Sequence, residues 1–530
     1  MTRRALLAAA LAVVALMTTP PFGGTGAQEP ERGGTLNAII NPEPPLLVLG
    51  LNQQQPTQVV AGKIYQGLLR YDFDLTPLPS LAKSWEVSED GLTYTFKLEE
   101  DVRWHDGEPF TAEDVVFTTR DFLPEVHPRA RQAFERCESI EALDEHTVRF
   151  RLKEPFEPFL YAFLPAGAPM MPKHLYEGTD FRANPANDKP IGTGPFKFGE
   201  WVKGSYIHLV RNDDYWKEGR PYLDEIYYRV IPDAASRALA LETGEVDLSQ
   251  GNDVESFDVP RLQELPHLAM DTRGYETVAP ISWIEINHRI EPLGDKRFRQ
   301  AMMHAIDRQF IIDNIWFGLG RVAHGPISTA TRYHDPEAIK RYDYDPQKAV
   351  ALLDEMGLEP DGDGVRARIR LMVLPYGEVW VRQAEFVRQQ LGEVGIEVTL
   401  ESNDPGGWVQ RIGNWDYETS FDYVSQFMDP ALGVARTYIS SNIRQGVPFT
   451  NTMGYVNERV DELFALAPTR TDPAEAQKMY SELQAILTED VPVVWLTELE
   501  FPNFVNTRVK NAIIDANGPA SEFDEAYIED

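Results

Sequence analysis

The fold is decided by four short stretches between residues 81 and 115: LAKSWEV (81–87), DGLTYTF (90–96), WHDG (104–107) and FTAEDV (110–115). Tyr94 and Phe96 alternate with polar neighbours, which is the period-2 pattern of a half-buried strand. The Asp-Gly pairs in the second and third stretches are turn dipeptides. Thr111, with an acidic residue three positions later, is typical of a helix N-cap. The predicted order is strand, turn, strand, turn and helix.

Helix signals continue along the rest of the chain. Asp345-Pro346 supplies an N-cap and a proline at the first helical position, and Gly357 stands where that helix should end. Asp472-Pro473 opens another helix in the same way. Stretches of alternating apolar residues indicate strands between such helices, and no repeat of fixed period is present. The mixture predicts an α/β protein with several sheets.

The length and the first residues indicate a large exported protein. The chain has 530 residues, more than one hydrophobic core usually serves, so at least two lobes are expected. Two arginines precede an apolar run over 5–17, and small residues lead to a predicted cut between Ala27 and Gln28. We expect residues 1–27 to be a cleaved signal peptide, for either the Sec or the twin-arginine route.

The single cysteine, Cys137, lies far from that predicted cut. A bacterial lipoprotein needs a cysteine directly after the cut, so the mature protein is not expected to be a lipoprotein. No later stretch offers the roughly 18 consecutive apolar residues that a spanning helix needs. We therefore expect the mature protein to lie free in the periplasm, without direct insertion into the membrane.

Charge and missing motifs exclude several classes of function. The formal net charge of −33 repels nucleic acid and anionic lipid, because both present phosphates. The sequence contains no nucleophile elbow, no phosphate-binding P-loop, no H-E-x-x-H zinc motif and no cysteine pair for zinc. We predict a protein that is not an enzyme and that carries no cofactor or metal of its own.

Further motifs accompany the region of residues 81–115: Tyr65-Gln66-Gly67-Leu68, Gly192-Thr193-Gly194-Pro195-Phe196, Ala305-Ile306-Asp307-Arg308, Tyr344-Asp345-Pro346 and Asp429-Pro430. With these motifs, the chain from about 35 to 510 resembles family 5 of the bacterial extracytoplasmic solute-binding proteins. These are the peptide- and nickel-type substrate-binding proteins of ABC importers.

The resemblance implies a two-lobed periplasmic-binding-protein clamp of type II, in the large three-domain variety. Lobe I would combine residues 28–70, 190–280 and 495–530, a further domain would be inserted at 71–189, and lobe II would span 281–494. In such a clamp the lobes close on a ligand by a hinge motion, and a permease in the inner membrane reads the closed form. The resemblance also implies a monomer.

The first implied ligand contacts lie in a glutamine-rich loop. In peptide-binding relatives, the loop before the Tyr-x-Gly-Leu element lines the cleft, and here it is Asn52–Thr57. Gln53 and Gln55 offer amide donors and acceptors that suit a peptide backbone or a neutral polar ligand. The alternative is a solvated loop.

The segment before Asp429-Pro430 supplies the next implied contacts: Tyr423, Ser425, Gln426, Phe427 and Asp429. Many peptide binders carry an aspartate at the position of Gln426, where it pairs with the α-ammonium group of the ligand. An ammonium enclosed without a partner costs several kcal/mol. This departure disfavours a free peptide amino terminus unless Asp422 or Asp429 substitutes.

Two aromatic residues and one arginine complete the implied site. Trp408 and Trp495 occupy positions at which relatives bring side chains to the cleft, where they would stack on the ligand, although each could equally belong to the core. Arg436 could meet a ligand carboxylate through its planar guanidinium or form a structural ion pair.

The predicted function is that of the periplasmic substrate-binding component of an ABC importer for a short peptide or peptide-like compound. Gln426 and the glutamine loop leave open an oligosaccharide, an opine-like conjugate or a chelated metal. A periplasmic hydrolase or a chaperone-like factor is a more distant alternative.

Overall fold

The computed structural model describes residues 30–529, so the expected signal peptide lies outside the described residues. The strands are β1 Thr35–Ile40, β2 Leu69–Tyr71, β3 Pro77–Pro79, β4 Ala82–Val87, β5 Thr93–Leu98, β6 Cys137–Asp144, β7 Thr147–Leu152, β8 Phe196–Val202, β9 Tyr206–Arg211, β10 Glu225–Val230, β11 Leu248–Ser249, β12 Leu268–Asp271, β13 Ile281–Ile286, β14 Arg321–Val322, β15 Ala367–Met372, β16 Ile396–Glu401, β17 Thr419–Val424, β18 Val493–Glu498, β19 Asn503–Asn506, β20 Val509–Lys510 and β21 Tyr527–Ile528.

The α-helices lie between these strands. They are α1 Gln55–Ala61, α2 Ala112–Val116, α3 Leu123–Val126, α4 Pro128–Phe134, α5 Lys173–Tyr176, α6 Ala234–Glu242, α7 Val259–Gln263, α8 Lys296–Ala305, α9 Arg308–Phe310, α10 Pro346–Glu355, α11 Glu378–Glu393, α12 Pro405–Asn414, α13 Ala435–Tyr438, α14 Glu458–Leu466 and α15 Pro473–Asp490. The predicted α/β class is confirmed. None of the helices within residues 30–529 is both long and apolar enough to cross a membrane.

The region of residues 81–115 forms half of a four-stranded antiparallel sheet with the order β4-β5-β7-β6. Its first turn places Gly91 at φ +67°, in the left-handed region that glycine tolerates best. The carboxylate of Asp90 accepts a hydrogen bond of 3.0 Å from the backbone N–H of Leu92. Helix α2 begins after Thr111, which forms a capping box with Asp114. The predicted order is confirmed, because β4, the turn at Asp90-Gly91, β5, the turn around Asp106-Gly107 and helix α2 follow one another along the chain.

Lobe I is built on a seven-stranded sheet with the order β12-β19-β11-β1-β10-β9-β8. The strands come from three separate parts of the chain, before and after the small sheet and from the C-terminal region. Strand β1 lies parallel to β10, with Thr35 opposite Glu225, while β9 and β8 continue the sheet antiparallel. Helix α6 follows β10 after the cap residue Asp233, whose side chain accepts from the N–H of Ser236.

Lobe II is built on a six-stranded sheet with the order β14-β18-β13-β17-β15-β16. Every residue of β13 and β18 is buried, because these central strands are covered on both faces. Strand β18 pairs with β13 as far as Glu498, opposite Ile281. The chain therefore returns to lobe I only after residue 498, and the predicted lobe II boundary at 494 is four residues too early.

The apolar side chains form two cores. One fills the inserted domain and the adjoining part of lobe I. The other fills lobe II and extends to α6 and α7 of lobe I. Met428, although it belongs to lobe II, packs in the first core. The segment around Met428 therefore joins lobe II to the opposite side of the molecule.

Candidate ligand-binding cleft

A cavity of about 540 Å³ lies between the inserted domain and lobe II. Arg129, Arg136 and Phe156 line it from the inserted domain, and Phe427 and Arg436 line it from lobe II. Its volume lies within the range of about 300–1,000 Å³ that is typical of small-molecule sites. The wall combines aromatic rings with guanidinium groups, so it can contact both apolar and charged parts of a ligand.

A smaller cavity of about 100 Å³ adjoins the first and shares Arg129 and Phe427 with it. It is further lined by Gln58 of lobe I, by Tyr161 of the inserted domain and by Thr277 at the chain crossing from lobe I to lobe II. Because they share wall residues, the two cavities are neighbouring parts of one cleft between the lobes. All three parts of the fold contribute to its wall.

The backbone of two consecutive residues is strained where lobe II meets this cleft. Phe427 has φ +47° and Met428 has φ +67°, although neither is glycine. Non-glycine residues in this region cost about 1–2 kcal/mol each and persist only where surrounding contacts hold them. The contacts here are the N–H of Gln426, which donates to the carbonyl of Val278 at 2.7 Å, and the burial of the Met428 side chain. This backbone conformation places Phe427 at the wall of both cavities.

Neither predicted residue of the glutamine loop lines the two cavities, but Gln53 contacts Arg129, which lines both. The Oε1 atom of Gln53 accepts a hydrogen bond of 3.1 Å from Nε of Arg129. The backbone carbonyl of Gln53 accepts one of 2.6 Å from Nε2 of Gln58. Gln55 is exposed and lines neither cavity. Gln53 therefore acts on the cleft by orienting Arg129.

Arg129 and Arg436 face the cleft from opposite sides. The guanidinium carbon of Arg129 lies 4.2 Å from the centre of the Phe427 ring. Burial, followed by the nearby charge of Arg436, lowers the pKa of Arg129 to about 10. Burial also lowers the pKa of Arg436, against the opposing charge of Asp422. The buried Nε of Arg436 has no hydrogen-bond partner among residues 30–529.

A third arginine in the cleft is already paired. Nη1 of Arg136 lies 3.5 Å from Oε1 of Glu154, and its guanidinium carbon is 4.0 Å from the centre of the Phe156 ring. Arg129 and Arg136 were not predicted as site residues from the sequence. The available signal was their spacing, since residues 129, 131 and 136 are all arginines in a strongly acidic chain.

Gln426 is completely buried, and both ends of its amide are occupied. Its Oε1 accepts from the N–H of Ser328 at 3.2 Å, and its Nε2 donates to the carbonyl of Pro326 at 3.3 Å. These hydrogen bonds fix the 326–328 loop to the segment that carries Phe427 and Met428. It lines neither cavity.

Asp429 is also completely buried, directly behind the strained segment. Its Oδ1 accepts from the N–H of Ala431 at 2.8 Å, whereas Oδ2 has no partner among the described residues. Burial raises the pKa of Asp429 to about 7, assisted by the nearby charge of Glu157 and opposed by Arg332. The carboxyl stabilises the turn that follows Phe427 and Met428. It also faces the ion pair between Glu157 and Arg332.

Tyr423 and Ser425 lie away from the two joined cavities. Tyr423 lines a separate cavity of about 260 Å³ together with Trp380 and Tyr376. Its ring is nearly parallel to that of Trp380, with the centres 6.3 Å apart and an angle of 14°. Ser425 is half-buried between Tyr423 and the strained segment.

The two tryptophans predicted at the cleft lie in the interior of lobe II. Trp408 is fully buried, and its Nε1 donates to Oγ of Ser420 at 3.0 Å. Trp495 is fully buried on β18, and its Nε1 lies 3.2 Å from the hydroxyl of Tyr438. Neither indole lines a described cavity, and the N–H of each is satisfied inside the lobe. Both tryptophans therefore belong to the core of lobe II, the alternative that the sequence left open, and they do not form the expected stacking surfaces for the ligand.

Two lobes joined by chain crossings, with a polar and aromatic cleft between them, define a solute-binding clamp. The comparison with known families agrees with this class. The profile described as bacterial extracellular solute-binding proteins, family 5 (middle), matches residues 76–445. The chain belongs to this family of extracellular solute-binding proteins.

Individual relatives cover nearly the whole chain. The oligopeptide-binding protein AppA of Bacillus subtilis is 31% identical over 494 residues, which cover 90% of this chain and 88% of AppA. The glutathione-binding protein GsiB of Salmonella typhi is 29% identical over 466 residues, with 86% of each chain covered. The structure of Bacillus subtilis AppA in complex with a nonapeptide matches with a TM-score of 0.77 and 27% identity, over 95% of this chain and all of AppA.

Proposed function

We propose that this protein is the periplasmic substrate-binding component of an ABC importer and captures a short peptide or peptide-like compound. The observation that carries the proposal is the cavity of about 540 Å³ whose walls come from the inserted domain and from lobe II. A ligand that touches both walls binds the closed form more tightly than the open form. It therefore shifts the equilibrium towards closure.

The peptide assignment is supported by the relatives, which include an oligopeptide-binding and a glutathione-binding protein. The proposal includes export by a signal peptide cut near Ala27, a monomeric working form, delivery to permease subunits in the inner membrane, and no catalytic step. Recovery of unchanged peptide after long incubation with the protein would test the absence of hydrolysis.

The ligand class is tested by thermal unfolding of the ligand-stripped mature protein. The panel contains di- to pentapeptides, oligosaccharides, and nickel with and without a chelator. A ligand at a hundred times its dissociation constant adds about 2.7 kcal/mol to the unfolding free energy, so it raises the midpoint visibly. We expect peptides to raise the midpoint. A response to sugars or nickel alone would refute the peptide assignment.

A pair of variants tests the location of the site. Phe427→Ala removes the ring at the cleft wall and should abolish or strongly reduce the peptide response. Phe449→Ala is a matched control, because Phe449 also has positive φ, at +58°, but is 41% exposed and lines neither cavity. Equal responses of the two variants would place the ligand elsewhere.

A further inference from the structure

The inserted domain and lobe II also meet beside the cleft, around the ion pair between Glu157 and Arg332. Glu157 begins a short 3-10 helix of the inserted domain, Glu157–Phe163, and Arg332 lies in a loop of lobe II. The hydroxyl of Tyr333 donates to Oε2 of Glu157 at 3.4 Å. The guanidinium carbon of Arg332 lies 4.6 Å from the centre of the Tyr333 ring. One carboxylate of the inserted domain therefore reaches across to a cation of lobe II.

A second carboxyl group, that of Asp429, lies behind this ion pair in lobe II. It is completely buried, and its Oδ2 has no hydrogen-bond partner within residues 30–529. It is near enough for the charge of Glu157 to disfavour its ionised form and for that of Arg332 to favour it. The hydroxyl of Tyr480 lies close to it, and the Tyr480 ring packs on that of Tyr333 with the centres 4.6 Å apart. These five residues form an interlobe cluster.

Two carboxyl groups share one guanidinium group in this cluster. The other titratable groups that face Asp429 are Tyr333 and Tyr480 of lobe II and Tyr161 of the inserted domain. A tyrosine is neutral or negative, so none of the three can balance a second carboxylate. Ionisation of both carboxyl groups would leave a buried negative charge without a partner, which is strongly unfavourable. With the lobes together, burial and the charge of Glu157 accordingly raise the pKa of Asp429 to about 7.

We propose that Asp429 takes up a proton when the inserted domain closes on lobe II, so that acidic pH favours closure and alkaline pH opposes it. The members of the cluster belong to different parts of the clamp. Arg332 and Asp429 stay together in lobe II, whereas Glu157 leaves with the inserted domain. In the open form, Asp429 faces Arg332 without a competing carboxylate and is reached by water, and both changes favour its ionised form. Closure reverses both changes, so the closed form binds the proton more tightly.

The proton linkage has a defined pH range. A group whose pKa is higher in the closed form stabilises that form most at pH values below the pKa of the open form. The closed form therefore has its full advantage in acid and loses it as the pH rises through the Asp429 pKa of about 7. Each pH unit by which closure raises this pKa changes the ratio of closed to open molecules by a factor of about ten. The linkage is a property of the two lobes themselves and holds whatever the ligand is.

The first test needs no ligand. Small-angle X-ray scattering of the ligand-free mature protein compares its radius of gyration at pH 5 and at pH 8. We expect the wild type to be more compact at pH 5 than at pH 8. Asp429→Asn is neutral at both pH values and should stay as compact at pH 8 as at pH 5. Asp363→Asn is the matched control, because it removes a carboxylate from an exposed turn and leaves the interlobe cluster intact, so it should expand like the wild type.

Glu157→Gln tests the origin of the linkage. The amide keeps the shape of the side chain but removes its charge, so that Asp429 faces Arg332 without a competing carboxylate in the closed form as well. We expect the difference in radius of gyration between pH 5 and pH 8 to shrink in this variant. A difference as large as that of the wild type would contradict the role of Glu157.

The second test counts the proton and rests on the function proposed above. The probe is the peptide of the panel that raises the unfolding midpoint most. Isothermal titration calorimetry at pH 7, in two buffers with different enthalpies of ionisation, gives the number of protons taken up on binding. The wild type should take up more protons than Asp429→Asn, by up to about one per molecule. Protons exchanged by the peptide itself cancel in the difference between the two proteins.

The two tests separate the proton linkage from the proposed function. If wild type and Asp429→Asn respond to pH alike in scattering and take up the same number of protons, the linkage is overturned while the binding function stands. A difference in proton number alone supports the linkage, because it measures the titration of Asp429 itself. If no peptide binds, the proposed function fails and scattering alone decides. Equal responses of the two proteins to pH then overturn the linkage, and expansion confined to the wild type supports it.

Discussion

Asp429→Asn should make the folded protein more stable at neutral pH and remove a specific part of its pH dependence. The wild-type carboxyl is completely buried, with Oδ2 unpartnered among the described residues. Its pKa is raised from 3.8 to about 7, first by burial. The asparagine has the same shape and retains an oxygen for the N–H of Ala431, so the substitution changes the charge with little change in packing.

The magnitude follows from the difference in pKa between the folded and unfolded forms. Raising the pKa from 3.8 to about 7 corresponds to about 4 kcal/mol of unfolding free energy, at roughly 1.4 kcal/mol per pH unit. A raised folded pKa contributes stability that is fully present below pH 3.8 and is lost as the pH rises through 7. At pH 5 the loss is about 2 kcal/mol, and at pH 8 it reaches the full 4.

The assay is urea unfolding of wild type and variant between pH 4 and pH 8 in the absence of ligand. The difference between the two proteins isolates Asp429, because the other titrating groups are common to both. We expect the advantage of the variant to grow by about 2–3 kcal/mol from pH 5 to pH 8. Asp363→Asn, at an exposed turn, is the control and should show no such growth. A constant difference between variant and wild type across this range would refute the reasoning.

Two further predictions concern contacts between or beside the lobes. Glu157→Gln breaks the ion pair between Glu157 of the inserted domain and Arg332 of lobe II. The Glu157 side chain is 24% exposed and that of Arg332 is 40% exposed, so the pair contributes modestly. The affinity for peptide should fall two- to fivefold, which corresponds to about 0.5–1 kcal/mol. Isothermal titration calorimetry with a peptide mixture measures this effect, and an unchanged affinity would exclude a role in closure. Gln426→Glu replaces the amide nitrogen by a carboxylate oxygen that faces the carbonyl of Pro326, and it should destabilise the ligand-free protein by about 2–4 kcal/mol. A thermal midpoint equal to that of wild type would contradict it.

The fold could be predicted further than the site because its signals are local. Turn dipeptides, helix caps and alternating apolar residues each act over a few positions, as at Asp90-Gly91 and Thr111. The boundary near residue 494 failed because strand pairing decides it. Nothing local in β18 indicates that its partner is β13 of lobe II.

Whether a residue lines the site depends on the direction of its side chain. The sequence of a strand that is buried on both faces does not reveal this direction. Trp495 stands in β18, where all six residues are buried, so no alternation separates the core side from the cleft side. Gln426 lies in the expected segment, but its amide is consumed by a loop almost 100 residues away. Arg129 could be recognised only from the structure, which places its side chain at the wall of both cavities.

The position of β19 in lobe I has a consequence for how the protein matures. This strand lies between β11 and β12, with Val505 opposite both Leu248 and Ala269. Strands β11 and β12 therefore cannot join one sheet until the C-terminal region has been synthesised. The lobe I sheet remains incomplete, with unpaired strand edges, while the inserted domain already has every strand of its own sheet. The lobe I sheet is thus completed only when β19 inserts, and a chain truncated before Asn503 retains two exposed edges that favour aggregation.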